Sequence, residues 1–474
     1  MEENQPIPAE TFKRLGLWAQ LKEALKGSEA DFTKIDLKRA IFLLAVPMIL
    51  ELVMESTFAL VDIYFVGKLG APAVATVGLT ETYLFIMYSI AMGLSVAVTA
   101  FIARRVGEKK KDEAGVGAVQ SVFLGLLFSI PFMLGGIFYA KELLSIMGGD
   151  SWSQEHGYKY AQWMLGGNGI IMLLFVINAV FRGAGDAAIA MRVLWIANGI
   201  NIVLDPVLIF GWGPFPAMGI EGAAIATNVG RGIGVAIQLW SLFRSGKHIR
   251  VKKEQIKWVG TVVWNLLKTS IGGIGQMIVA MTSWVFIIRI LADLGSEAVA
   301  ASTTVIRLMM FTLMPAWGLS NAAATLVGQN LGAGHPDRAE KSVWMIGVYN
   351  MVFLVFVSFI YYFFNESLMR IFTEDDTVMA IGAEWIRILS YSYFVYGWWM
   401  VAVQAFNGAG DTRTPTWINI IFFWIIQIPL SYYMAMKLGM QHSGVFWAIL
   451  ISETSVGVFT LWLFSKGSWK KVKI

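Results

Sequence analysis

The sequence predicts an all-α integral membrane protein: twelve transmembrane helices arranged as two pseudo-symmetric sets of six. Three observations predict it. Apolar residues make up 57% of the 474 positions and charged residues 15%, where soluble domains carry ~45–50% and ~25%. The chain contains twelve apolar runs near the ~20 residues that a spanning helix needs. Its two halves also repeat one another at a constant shift. The mean hydropathy is +0.62, and a soluble fold of this size would lack the charge to cover its surface. There is no cysteine, which excludes disulfides, thiolate metal sites and a cysteine nucleophile. Four scattered histidines argue against a zinc enzyme. The net charge of +5 is not a nucleic-acid signal, because the basic residues sit in loops between apolar runs.

The expected spans cover residues 40–66, 80–103, 116–139, 158–181, 190–211, 220–243, 261–292, 303–328, 341–364, 384–406, 414–436 and 444–465. Around them lie a mixed-charge tail at 1–39, a basic linker at 244–260 and a basic tail at 466–474. The two sets of six then occupy 40–243 and 261–465. The stretch from Phe12 to Leu25 has helical spacing of Leu and Trp. It fits either a helix lying on the membrane surface or a solvated one. Arg104, Arg105, Lys109, Lys110 and Lys111 follow the second span, Lys247, Arg250, Lys252, Lys253 and Lys257 the sixth, and Lys466, Lys470, Lys471 and Lys473 the twelfth. By the positive-inside rule, both termini are expected in the cytoplasm.

The repeat appears at a shift of 225 residues. Gly93-Leu94-Ser95 matches Gly318-Leu319-Ser320, Asp112 matches Asp337, and Gly183-Ala184-Gly185-Asp186 matches Gly408-Ala409-Gly410-Asp411. Six is even, so both halves start on the same side of the membrane. They are parallel repeats about an axis along the membrane normal, as in some secondary transporters.

An acidic residue at mid-span costs ~2.5–3.5 kcal/mol on insertion scales, so each needs a reason. Glu51, Glu55 and Asp62 in the first span fall within about 40° of one helix face at 100° per residue. Pro47, one turn earlier, removes a backbone hydrogen bond and predicts a bend there. In the fifth span Asn198, Asn201 and Asp205 share a face. Pro206 leaves the carbonyl of Ile202 without its helical donor. Hard oxygens of this kind suit a small cation. The repeat places Ala280, Ile287, Ile426 and Leu430 where Glu55, Asp62, Asn201 and Asp205 stand, and Gln276 where Glu51 stands. The acidic chemistry therefore belongs to the first half. It reads as ion or proton coupling, or as buried protonated carboxyls that tie helices together.

Other polar groups within the spans leave two readings open. Arg289, Arg307 and Glu453 fit a cavity or gate, or in the case of the arginines snorkelling to the interface. Tyr160, Asn178 and Thr227 fit a polar pocket or helix–helix hydrogen bonding. Met309, Met310 and Met314 fit an adaptable drug-binding wall or packing. The two Gly-Ala-Gly-Asp segments match no phosphate-binding pattern and are turns.

These residues resemble the multidrug and toxic compound extrusion transporters over about residues 37–465. The resemblance rests on Asp62-Ile63-Tyr64-Phe65-Val66-Gly67, Arg182 to Asp186, Asn201 to Asp205-Pro206, Gly318-Leu319-Ser320, Gly328-Gln329-Asn330 and Asn407 to Asp411. It implies two six-helix lobes around a central cavity and a multidrug exporter that exchanges organic, often cationic, compounds for Na+ or H+. It also implies a prokaryotic plasma (inner) membrane location and no cofactor beyond the coupling ion. The chain is expected to act as a monomer in the lipid bilayer. At positions matching the family's first-lobe site, Asp62, Asn201 and Asp205 would hold the cation or proton, with Thr227 as a further ligand and Glu55 beside them. Tyr160 and Asn178 fall where relatives line the first-lobe pocket, with Glu51, Asn198, Arg289 and Met309 as further pocket candidates and Pro206 and Pro47 as hinges. Several members carry a carboxylate in the seventh span, where this sequence has Ala280, with Gln276 nearby. The rival readings are a flippase for a lipid-linked oligosaccharide, which would favour a cationic cavity, and a channel. No nucleophile–base constellation supports an enzyme.

Overall fold

The computed structural model describes residues 16–244, 248–472 and 474. Residues 12–15 of the expected N-terminal helix, Lys247 and Lys473 lie outside the described residues. All regular structure among the described residues is helical. A short α1 (Leu17–Lys26) precedes α2 (Leu37–Gly67), α3 (Ala71–Gly107), α4 (Lys111–Ile146), α5 (Tyr158–Gly166), α6 (Asn168–Ala184), α7 (Ala187–Phe210) and α8 (Ile220–Arg244). The second lobe follows with α9 (Gly260–Ala292), α10 (Ser296–Gly332), α11 (Pro336–Arg370), α12 (Asp376–Ser390), α13 (Tyr393–Ala409), α14 (Arg413–Asn419), α15 (Ile428–Tyr432) and α16 (Gln441–Ser465). Here α5 and α6 make one crossing, α12 and α13 another, and α14 continues through wider π turns into α15 as a third. The result is twelve crossings in two lobes of six.

Ten of these crossings are long and apolar enough to span a membrane by composition alone. The remaining two have identifiable reasons for falling short. The α8 helix carries Thr227, Asn228, Arg231 and Gln238, all buried in the protein. The α12–α13 crossing is interrupted at Tyr391–Ser392, so neither piece is long enough alone. Helices also extend beyond the apolar runs, since α3 starts at Ala71 rather than near residue 80. The added stretch 71–79 carries Pro72, Thr76 and Gly78, which lower the mean hydropathy and so end the run when apolar residues are counted alone. On α11, Val352, Phe356, Phe359 and Phe363 recur every three or four residues and are each about 60–70% exposed. Such a stripe belongs against lipid.

The backbone repeats as the sequence does. The α3 and α10 helices start and end 225 residues apart, as do α6 and α13. Gly185 and Gly410 close α6 and α13 with φ of 94° and 89°, a conformation that favours glycine. Helical dihedrals break at Tyr139 (φ −129°) in α4 and at Phe364 (φ −121°) in α11, again 225 residues apart. The bend expected at Pro47 is not where the backbone breaks. The α2 helix runs through that residue, and a Cβ on Gly318 would already crowd Met48 and Ile49. This close packing of α10 holds the stretch around the missing hydrogen bond.

The lobes meet through α2 against α10 and α3 against α9 and α10. Contact is closest toward the end that carries α1. There, Cβ atoms on Gly107 and Gly332 would overlap the carbonyls of Gln329 and Arg104. Gln329 donates to the Gly183 carbonyl (3.0 Å), Thr325 to that of Arg182 (3.0 Å) and Arg104 to that of Ala409 (3.3 Å). The Gly-Ala-Gly turns are thus the points at which each lobe receives a side chain of the other. Both tails add to this seal. Arg104 and Arg105 donate to the main-chain oxygens of Val472 and Ile474, each at 3.0 Å. Asp31 pairs with Lys109 of the first lobe at 2.6 Å. Arg338 of the second lobe donates to the main-chain oxygens of Phe32 and Ile35. At the opposite end, no hydrogen bond or ion pair joins the lobes among the described residues. The charge of Arg307 on α10 is felt there by Glu81 on α3 without a hydrogen bond or ion pair between them among the described residues.

Candidate functional site

The polar side chains of α2 point into the first lobe and meet α6, α7 and α8. Glu51 is 3% exposed and accepts hydrogen bonds from Asn178 (3.2 Å) and Arg182 (3.0 Å). Asn178 in turn accepts from Gln238 (2.7 Å). One turn on, Glu55 accepts from Asn198 (2.9 Å) and from Arg231 (3.2 Å). The Arg231 guanidinium also reaches the Tyr88 hydroxyl (3.4 Å) and lies over the Phe58 ring at 5.4 Å. Breaking a buried pair by removing one partner costs about 3–5 kcal/mol, a range that applies to Glu51 and Arg182. The Glu55 side chain is 26% exposed, so water screens its pair with Arg231 and that pair holds the helices less firmly.

The repeat clarifies Glu51. Its counterpart Gln276 donates to Asn407, the counterpart of Arg182, at 3.0 Å, and Asn407 donates back at 3.3 Å. One contact is thus built twice, once from charges and once from amides. Glu51 and Arg182 join helices, and a neutral pair does the same work in the other lobe.

Deeper along α7 the pattern changes. Asp205 is fully buried, and neither carboxyl oxygen has a hydrogen-bond partner among the described residues. The Asn201 Oδ1 is also buried without a partner among the described residues, while its Nδ2 donates to Thr227 Oγ1 at 3.0 Å. Asp62 lies within electrostatic reach of Asp205, and Arg231 and Glu81 also act on it. Buried Tyr160 sits within reach of Asp62, Glu81 and Asp205. The α7 helix continues unbroken through Pro206. A carboxylate in a dry interior must be neutralised or paired. Three partnerless oxygens beside a threonine hydroxyl fit a small hard cation, or a proton on Asp205.

The structure therefore separates the sequence candidates. It brings Asp62, Asn201, Asp205, Thr227 and Tyr160 into one region. It gives Glu51, Asn178, Asn198 and Glu55 to hydrogen-bonded pairs. It takes Arg289 to an exposed helix end, where it pairs with Asp293 at 3.3 Å, and Met309 into the packed core of the second lobe. Glu453 is buried in that lobe without a hydrogen bond among the described residues. Sequence reasoning missed Arg231, Arg182 as an ion-pair partner, and Glu81. Arg231 follows Thr227 by one helical turn, a spacing that places it on the same face.

The chain matches the MatE family profile over residues 47–207 and 273–433, one match in each lobe. A Thermotoga maritima protein named probable multidrug resistance protein NorM is 26% identical over 439 residues, covering 92% of this chain and 94% of its own. A Shewanella oneidensis protein named FAD transporter is also 26% identical, over 90% of this chain and 94% of its own. The Staphylococcus aureus multidrug export protein MepA is 22% identical over 89% and 92%. The solved outward-facing structure of a multidrug resistance MATE family transporter superposes with a TM-score of 0.86 at 23% identity, covering 95% of this chain and 98% of that one. With both lobes matched and the twelve-crossing architecture in place, this chain belongs to the MatE family, the multidrug and toxic compound extrusion transporters, and is a transporter rather than an enzyme.

Proposed function

We propose that the chain is a secondary multidrug exporter that exchanges organic, often cationic, compounds for Na+ or H+ by alternating access. The observation that carries this reading is the set of partnerless buried oxygens on Asp205 and Asn201. A membrane protein keeps such groups where an ion or proton comes and goes. Asp62 and Asp205 carry the charge that the ion compensates, and Asn201 and Thr227 supply neutral oxygens. The carbonyl of Ile202, freed by Pro206, gives α7 a place to change shape. With both tails in the cytoplasm of a prokaryotic cell, the sealed end faces inward and the unjoined end faces outward. Ion binding then has to favour one arrangement of the first-lobe helices over the other, since only a difference in affinity between states couples ion to substrate. The protomer works as a monomer, because each chain holds both lobes.

The test is efflux from vesicles of the reconstituted protein under an imposed Na+ gradient and then a proton gradient. A fluorescent organic cation and FAD are supplied in parallel. Gradient-driven export of the organic cation that is lost in Asp205→Asn supports the proposal and identifies the ion. Export of FAD alone overturns the multidrug reading, and gradient-independent currents identify a channel.

A further inference from the structure

The end of the molecule that carries α1 has a groove of about 310 Å³ between α7 and α8. Its outer edge holds Lys26, the last residue of α1, and Arg192 of α7. The Arg192 Nε donates to the Ala188 carbonyl one turn back (3.1 Å), which holds the guanidinium toward the start of α7, and Lys26 lines the same groove. Neither cation has an acidic partner among the described residues. The acid that lines the groove, Asp186, is itself buried and accepts from the His248 main-chain N–H at 3.1 Å. Below the cations the wall becomes apolar. Val193 and Ile196 of α7 face Ile237 and Trp240 of α8, and Ile196 and Trp240 are about half exposed. The groove is thus cationic at the aqueous level and apolar along the helix axis, with an indole at the level where interfacial tryptophans sit.

The groove of Lys268 and Arg413 also holds one acid, Asp411. Its remaining wall, however, is built of Asn265, Thr269, Thr412 and the C-terminal residues Val472 and Ile474 rather than of two facing apolar helix stripes. Two further grooves set acids directly beside their cations. The one beside Lys38 and Lys341 also holds Asp337 and Glu340, and the one beside Arg387 holds Glu366. From this charge and apolar arrangement we infer that the groove of Lys26 and Arg192 binds one anionic phospholipid of the adjoining leaflet. The phosphate lies between the two cations, and an acyl chain runs along Val193, Ile196 and Ile237. Basic pockets between helices near the membrane surface recognise anionic headgroups. Because α7 also carries Asn198, Asn201 and Asp205, the lipid grips the helix that holds the candidate ion site. This inference requires only that the helices span a membrane and is independent of what the protein transports.

The experiment is native mass spectrometry of the full chain released from detergent after incubation with phosphatidylglycerol or phosphatidylcholine. The expected result is retention of one phosphatidylglycerol in preference to phosphatidylcholine by roughly tenfold. That preference should vanish in the Lys26→Gln/Arg192→Gln variant and persist in Lys38→Gln/Lys341→Gln. A thermal melt in detergent checks that both variants fold, and Lys26→Gln alone, outside the spans, serves if the double variant does not. Equal retention of the two lipids by the wild type overturns the proposal. So does unchanged preference in the Lys26 and Arg192 variants, or loss of the lipid to millimolar inorganic phosphate, which marks a soluble-anion site.

Discussion

Glu51 and Arg182 form a buried ion pair at 3.0 Å in the first lobe, at the positions that Gln276 and Asn407 fill with a 3.0 Å amide–amide hydrogen bond in the second. The protein thus carries its own control for the role of one membrane carboxylate. Glu51→Gln alone strands a guanidinium, and Arg182→Asn alone strands a carboxylate. Each single variant should lose about 3–5 kcal/mol of stability. The double variant Glu51→Gln/Arg182→Asn should recover most of it and transport like the wild type. Thermal melts in detergent and vesicle efflux check this. A double variant that is stable yet inactive would return Glu51 to the transport machinery.

Asp205 is expected to behave in the opposite way. Its carboxyl has no hydrogen-bond partner to strand among the described residues, so Asp205→Asn should fold at least as stably as the wild type. Gradient-driven export should fall by roughly tenfold or more, in the range of typical coupling energies. A ligand that binds only the folded state raises the melting temperature with its concentration. The wild type should therefore gain thermal stability with the coupling ion, and the variant should not. Equal ion-dependent stabilisation of both proteins would place the ion elsewhere.

The seal between the lobes rests on few donors. Arg104→Gln/Arg105→Gln removes the hydrogen bonds to Ala409, Val472 and Ile474 and should shift the population toward an arrangement open at that end. The chain has no native cysteine, so spin labels on Lys111→Cys and Lys341→Cys read the lobe separation directly. The expected outcome is a longer distance component that grows in the variant. An unchanged distance distribution would show that glycine packing alone holds the seal.

Asp31 provides a pH dependence outside the membrane. Burial works to raise its carboxyl, but hydrogen bonds from Lys109 and Thr33 outweigh it and hold it at about 2, below the ordinary 3.8. A depressed carboxyl stabilises the fold fully above its unfolded value and loses that contribution as pH falls toward the folded one. Asp31→Asn should therefore cost up to about 1 kcal/mol near neutral pH. The cost should shrink as pH drops from about 4 to 2. Melting curves of the two proteins across that window provide the check, and a difference that stays constant would contradict it.

Glu81 of the first lobe and Arg307 of the second lie within electrostatic reach at the unjoined end, with no ion pair between them among the described residues. If that end closes during transport, this is the opposite-charge pair placed to meet. Charge reversal of both residues should preserve export, whereas Glu81→Arg alone should reduce it severalfold through like-charge repulsion. Vesicle efflux of the three proteins measures this, and equal rates would remove the pair from any gate.

The sequence by itself determined the membrane, the twelve crossings, the twofold repeat and the helix faces that carry acid. Each follows from local composition or from periodicity, and both survive folding because a helix in lipid must satisfy its own backbone. Periodicity also put Glu51, Glu55 and Asp62 on one face, yet all three looked alike there. Only the tertiary structure distinguished them, because a carboxyl's role depends on which donor a neighbouring helix brings to it. Arg182 and Arg231 stand 131 and 176 residues away from the glutamates they neutralise, a distance no helical spacing encodes. The same packing leaves Asp205 without a hydrogen-bond partner among the described residues. The Gly-Ala-Gly turns also read as ordinary turns until the opposite lobe was in place, because their exposed carbonyls become a seal only when Arg104 and Gln329 reach them across the interface.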